Sequence, residues 1–197
     1  IEQDIVLQTA IMNMYGKCGD VSAACMIFAS IHKRSLITWN TIISICAQNG
    51  HIGEAIMILK QMQEKKVKPS SITFIGILDA CGESIALDEG QWIHTSIVES
   101  GIELDSNLGS TLINMYGKCG SISEAEYVFR WSMPIRNVVS WTLMLSIYME
   151  QDEENKVLHA YRQMQEEGLE PNEWTFSLVL EACAMLLDKK ETYVVDN

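Results

Sequence analysis

The sequence has no CxxC pair, no histidine spacing suited to zinc and no apolar run long enough to cross a bilayer. Its six cysteines, at positions 18, 25, 46, 81, 119 and 183, therefore read as reduced intracellular thiols in small core niches. The longest uncharged apolar stretches, Ile5 to Met14 and Leu36 to Ala47, fall well short of the roughly 20 residues a membrane span requires. Basic residues are few. With 14 Lys and Arg against 26 Asp and Glu, the net charge is −12, which argues against an indiscriminate binder of phosphate backbone and confines any nucleic-acid role to a local patch. Period-two alternation, the mark of a half-buried strand, is missing as well. Proline is limited to 3 residues, and two of them, Pro69 and Pro171, stand where a helical pattern stops.

Catalytic signatures are equally scarce. There is no HxE with a following PCxxC, and none of GxxxxGK[ST], GxSxG, HExxH or a Gly-rich dinucleotide fingerprint. His32, His51, His94 and His159 are scattered without ligand spacing, so they read as solvated or packing residues. The segment is expected to be a binding module with no cofactor, no metal, no small-molecule substrate and no membrane partner. It opens at Ile1 without a methionine or a signal-like stretch, and is read as a piece of a longer chain whose targeting peptide lies outside it.

What the sequence does contain is repetition. NMYGKCG at 13–19 recurs at 114–120, a shift of 101 residues, and QMQEKKVKPSSITF at 61–74 reappears as QMQEEGLEPNEWTF at 163–176, a shift of 102. Trp39 and Cys81 recur as Trp141 and Cys183 at the same larger shift, so one extra residue lies between, around Arg130 to Met133. Within the block, smaller units share an apolar start, a Gly or small residue halfway, and Ala or Gly five residues later. Laid out by these marks, the repeats span 5–35, 36–70, 71–105, 106–137, 138–172 and an incomplete 173–197.

Each repeat holds two amphipathic helical patterns. In the fourth, Leu108, Leu112, Met115 and Tyr116 share a face, Gly117 and Gly120 interrupt, and Ser121 with Glu124 forms a capping box for a helix lining up Ile122, Ala125, Val128 and Phe129. In the second, Trp39, Ile42, Ile43 and Cys46 precede Gly50, then Ile52, Ala55, Ile58, Leu59 and Met62. The methionines Met14, Met62, Met115 and Met164 are expected in the core. One such helix pair cannot bury its apolar face alone. The predicted fold is therefore all-α, a right-handed α-solenoid of stacked antiparallel helix pairs with a concave and a convex side.

These units resemble pentatricopeptide repeats of the variety that alternates short, standard and long motifs. The marks are MYGKCG followed by Ala24 and Phe28, or Ala125 and Phe129, in the short repeats; TWNTIIS and SWTLMLS opening the standard ones; and TFIGILDAC and TFSLVLEAC opening the long ones. Tetratricopeptide repeats compete less well, because their WxxLGxxY signature is missing and the repeat length here is not fixed. The resemblance implies binding of single-stranded RNA along the concave groove, about one base per repeat, in organellar RNA editing or processing. It also implies a chloroplast or mitochondrion as location and editing-complex proteins as further partners.

Carried over from the family, the fifth and last residues of each repeat read the base: Thr9 with Ser35, Asn40 with Ser70, Ser110 with Asn137, and Thr142 with Asn172. The third repeat offers Ile75 with Asp105 and should leave its base unread. The second positions Val6, Ile37 and Val139 pack against the base faces, while Asn107 and Trp174 depart from that apolar preference. The family pattern then spells purine, cytidine, any base, adenine, adenine from 5′ to 3′, with the inserted residue near Trp131 able to displace Asn137. Lys17 and Lys118 close first helices, where a groove phosphate could be met. Glu83 and Glu150 hold the same register elsewhere, and carboxylates such as Asp88, Glu89, Glu124, Glu126, Glu153, Glu154, Glu166 and Glu167 cluster toward the convex side.

Each assignment has a plainer alternative. Thr9, Asn40, Ser110 and Thr142 suit early helix positions for capping reasons. Val6, Ile37 and Val139 suit helix packing, and the two lysines suit a helix C-terminus. A helical scaffold that binds protein is the competing function, favoured by the acidic convex side.

Overall fold

The computed structural model describes residues 2–195, with side chains described over 5–189. Among the described residues there are eleven α-helices and no strand. They fall into two compact halves, Ile1–Glu103 and Leu104–Asn197.

The first half comprises α1 (Glu2–Lys17), α2 (Val21–Ser30), α3 (Leu36–Gln48), α4 (Ile52–Glu64), α5 (Ser71–Glu83) and α6 (Leu87–Ser100). Successive helices pair, and the first helices α1, α3 and α5 also lie side by side. The turn inside each pair has one construction. Three residues separate the helices, the middle one is left-handed (Gly19 and Gly50 at φ +79°), and the next N–H reaches back to the closing turn. His51 N–H bonds the Cys46 carbonyl at 2.8 Å, and Asp20 N–H bonds that of Tyr15 at 3.0 Å. Ile85 holds the same place at φ +54°, a conformation costly for a β-branched residue.

The second half comprises α7 (Ser106–Lys118), α8 (Ile122–Tyr127), α9 (Val138–Glu150), α10 (Glu154–Glu166) and α11 (Glu173–Val195). The extra residue of the fourth repeat is absorbed by a π-helical turn, Val128–Ser132, that continues α8 and closes with Met133 N–H on the Val128 carbonyl at 3.1 Å. The aromatic contact that follows is kept. Phe129 meets Trp141 edge-on at 4.7 Å, as Phe28 meets Trp39 at 4.9 Å.

The predicted core faces are buried, including Leu108, Leu112, Met115 and Tyr116 on α7 and Ile52, Ala55, Ile58, Leu59 and Met62 on α4. Four expectations need correction. Met14 is exposed and Met12 is buried instead, because α1 packs on α2 and α3 with its Met12 side inward and a helix turns by about 200° over two residues. Cys18 and Cys183 are exposed, and Cys25 and Cys119 are half-buried; only Cys46 and Cys81 occupy core niches. Burial, with Cys25 alongside, pushes the Cys46 thiol up to about 12. The Ser121 capping box is not formed, since its hydroxyl bonds the Glu124 carboxylate at 2.6 Å instead of the backbone. Glu154 is buried rather than solvated, and the Lys189 ammonium that donates to it at 2.6 Å helps hold its carboxyl below the usual range.

The incomplete sixth repeat differs from its counterpart. Where α5 ends at Gly82, Glu83 and Ser84, α11 reads Ala184, Met185 and Leu186 and runs on without a break. Phe74, Leu78 and Cys81 are enclosed beside α6, whereas Phe176, Leu180 and Cys183 on α11 are exposed.

Two glycines explain the repeated NMYGKCG. A Cβ on Gly16 would lie 2.5 Å from Ile45 Cγ1, and one on Gly117 would lie 2.6 Å from Ile147 Cδ1, so the first helices approach where only hydrogen fits. Gly117→Ala gains up to about 1 kcal/mol of helix propensity but meets a buried β-branched neighbour, and overpacking typically costs about 1–3 kcal/mol. The expected net is destabilisation. Gly109→Ala meets only the flexible Met133 side chain, at 2.8 Å, and should be neutral. Urea midpoints of the two variants check this, and a stabilised Gly117→Ala would remove close approach as the reason for the glycine.

Candidate nucleic-acid interface

In the first half, the first helices turn one face of each repeat away from the core. On α1, Thr9, Asn13 and Lys17 follow at intervals of four and share a side. A cleft of about 360 Å³ between α1 and α3 is lined by Val6, Thr9, Asn13, Ser35 and Ile37, among others. A second of about 360 Å³ is lined by Asn13, Ile37, Asn40, Ser44, Gln48 and Ile72. Each cleft sets a fifth-position side chain between the second-position side chains of two successive repeats, a slot with apolar walls and a polar floor.

The second positions are not packing residues. Val6 and Ile37 are each 70% exposed and Val139 is 64% exposed, which removes the helix-packing alternative. Ile72 (67%) and Trp174 (62%) are equally bare. Ile72 escaped the sequence reading, although its place two residues after Ser70 marks it.

Two of the polar pairs are joined by a residue that sequence reasoning missed. Thr73 Oγ1 donates to Asn40 Oδ1 at 2.7 Å, Asn40 Nδ2 lies 3.5 Å from Ser70 Oγ, and the Ser70 and Thr73 hydroxyls are 3.2 Å apart. The ring brings residues 40 and 70 together and leaves Asn40 one amide N–H and one carbonyl lone pair. Thr142 and Thr175 hydroxyls are bonded at 2.8 Å, and Thr175 Oγ1 bonds Asn172 Oδ1 at 2.8 Å. Thr142 therefore meets Asn172 through Thr175, and at 7% exposure it sits behind Asn172 in the pair. Thr38, Thr73, Ser140 and Thr175 are all fully buried at this one register. A hydroxyl recurring at the third position of the standard and long repeats is the signal that would have found them.

Capping falls on the last positions, not the fifth. Ser35 accepts from Thr38 N–H at 3.2 Å, Asn137 from Ser140 N–H at 3.0 Å, and Asn172 from Thr175 N–H at 2.8 Å. Asn137 caps α9 as Ser35 caps α3, so the inserted residue does not displace it from that role. Thr9 donates to the Ile5 carbonyl at 2.8 Å, leaving its hydroxyl only acceptor capacity. No hydrogen bond joins Ser110 to Asn137. Lys17 and Lys118 are exposed in the last turns of α1 and α7, a position that serves a helix terminus and a groove phosphate equally.

Comparison with known families decides the lineage. The PPR repeat family model matches residues 34–83 and 136–185, and the PPR repeat model matches 9–36 and 110–130. The chain belongs to the pentatricopeptide repeat family. A chloroplastic pentatricopeptide repeat-containing protein of Arabidopsis thaliana is 37% identical over 184 residues, covering 93% of this chain and 30% of the relative. A mitochondrial one from the same plant is 33% identical over 183 residues, covering 93% and 26%. This chain thus spans about three tenths or less of these pentatricopeptide repeat relatives. Among solved structures, the pentatricopeptide repeat protein PPR10 in complex with an 18-nt psaJ RNA element matches at TM-score 0.82 and 21% identity, over 96% of this chain and 29% of that one. The likeness bears out the all-α solenoid class.

Proposed function

We propose that this segment binds single-stranded RNA in a sequence-selective way, one base per slot. Thr9/Ser35, Asn40/Ser70, Ser110/Asn137 and Thr142/Asn172 act as readers, and Val6, Ile37 and Val139 act as walls, joined by Ile72. The observation that carries the reading is the pairing of bare apolar walls with a polar floor in the two clefts between first helices, the floor at Asn40 being linked to Ser70 and Thr73. Side chains so exposed gain by covering a flat, apolar base face, and the floor groups match a base edge. Lys17 and Lys118 supply phosphate contacts. The PPR10 complex supports an RNA ligand, and relatives named chloroplastic or mitochondrial support an organellar setting. There the whole protein serves RNA editing or processing, with the chemistry supplied elsewhere, and follows the short, standard and long alternation.

Selection from a random RNA pool at moderate, stated salt should enrich purine, cytidine, any base, adenine, adenine. Ile37→Ala removes apolar wall from two slots and should weaken binding about fivefold, near 1 kcal/mol. A pool that emerges unenriched, with the chain instead retaining a protein partner, would favour the scaffold function.

A further inference from the structure

The duplicated block carries one site twice, with opposite charge. In the second half the Glu167 carboxylate is gripped from two sides. Arg136 Nη2 donates to Oε1 at 2.6 Å, Arg136 Nε to Oε2 at 3.4 Å, and Trp141 Nε1 to Oε2 at 2.9 Å. A guanidinium fork and an indole N–H together suit a planar carboxylate. The first half keeps both donors at the same registers, Arg34 and Trp39, with the same edge-on phenylalanine beneath. At the register of Glu167 stands Lys65. The backbone there is alike: Lys65 follows α4 at φ −79°, ψ 7°, and Glu167 follows α10 at φ −75°, ψ −1°.

Two consequences mark the first-half site as unsatisfied. The Trp39 Nε1–H is buried and has no hydrogen-bond partner, although a buried donor left unpaired costs about 1–3 kcal/mol. Arg34 turns to the backbone carbonyls of Phe28 at 3.1 Å and Ala29 at 3.2 Å, and lies over the Phe28 and Trp39 rings at 4.3 and 5.5 Å. Lys65, Lys66 and Lys68 are exposed and follow α4 in a chain of net charge −12, at the registers where the second half has Glu167, Gly168 and Glu170. A buried donor, a movable guanidinium and local positive charge are complementary to an anionic group with two acceptor oxygens.

We infer that Trp39, Arg34 and Lys65 form a docking site for an acidic side chain of a protein partner, whose carboxylate takes the place that Glu167 fills in the second half. Arg34 swings from the Phe28 and Ala29 carbonyls to grip one or both oxygens, and the Trp39 indole donates to one of them. The site lies where α3 faces the second helices, through the Phe28 contact, and not in the clefts lined by Ile37 and Asn40. RNA and an acidic partner can therefore be held at once.

The test follows the Trp39 indole N–H by nuclear magnetic resonance in the isotope-labelled 197-residue chain, its signal identified by its loss in Trp39→Phe. A tetraglutamate peptide should move that signal saturably, and a tetraglutamine peptide should not. Lys65→Glu supplies the carboxylate internally. Its indole signal should already be displaced without peptide, its thermal midpoint should rise, and its affinity for tetraglutamate should fall at least about tenfold. An indole that ignores tetraglutamate, that responds equally to tetraglutamine, or that responds only to oligouridine would overturn the inference. So would a Lys65→Glu signal that stays at the native position.

Discussion

Alanine in place of Trp39 or Trp141 should remove about 3–5 kcal/mol from the half that carries it. Both indoles are almost wholly enclosed, at 1% and 3% exposure, and each meets a phenylalanine of the preceding helix or its π-helical extension edge-on. Helix pairs couple mainly to their neighbours, so loss of hydrogen-exchange protection in Trp39→Ala should centre on α2 to α4. Phenylalanine separates packing from hydrogen bonding. Trp141→Phe loses the bond to Glu167, a charge-assisted bond whose worth is discounted by the third of that side chain left in solvent. Trp39→Phe forfeits no bond, because Trp39 Nε1 has no partner. The first variant should therefore be the less stable by about 1 kcal/mol. Denaturant midpoints in the reverse order would show that the Glu167 bond contributes nothing net.

The fold was legible because the same arguments recur in each repeat. Pro69 and Pro171 end helical patterns, Gly19, Gly50 and Gly120 fill left-handed turns, and the apolar residues of α4 and α7 fall on one face. Each of these is a local rule, readable within a dozen residues. The misses are non-local. Thr73 lies 33 residues from Asn40, and no periodicity within one repeat says that its hydroxyl will close the ring. Met14 and Cys183 carry the same letters as Met115 and Cys81, yet the first two are exposed and the last two buried. The inserted residue was visible from the change of offset, but its absorption by a π-helical turn that preserves the Phe129–Trp141 contact was not. For the interface, the family resemblance supplied the fifth and last positions. Burial then divided roles among them, enclosing Thr142 and leaving Asn172 at the surface.

On the proposed reading, that division leaves Asn172 as the reader of the fifth base. Its Oδ1 is committed to the Thr175 N–H and hydroxyl, both at 2.8 Å, so the group left for a base is its amide nitrogen, a donor suited to an adenine acceptor. Thr175 spends its proton on Asn172, so Thr142 donates to Thr175 and keeps only lone pairs. Asn172→Asp keeps the cap, since aspartate is as good an N-cap as asparagine, and the fold should hold. What changes is the free atom. A carboxylate oxygen accepts from the N–H groups of a guanine edge and repels the adenine acceptor. The preference at that base should turn from adenine toward guanine by about 1–3 kcal/mol, roughly tenfold or more. Affinities for RNAs that differ only at the fifth base measure it directly. A reversed order supports Asn172 as the reader, and an unchanged order would reduce Asn172 to a helix cap that holds Thr175 in place.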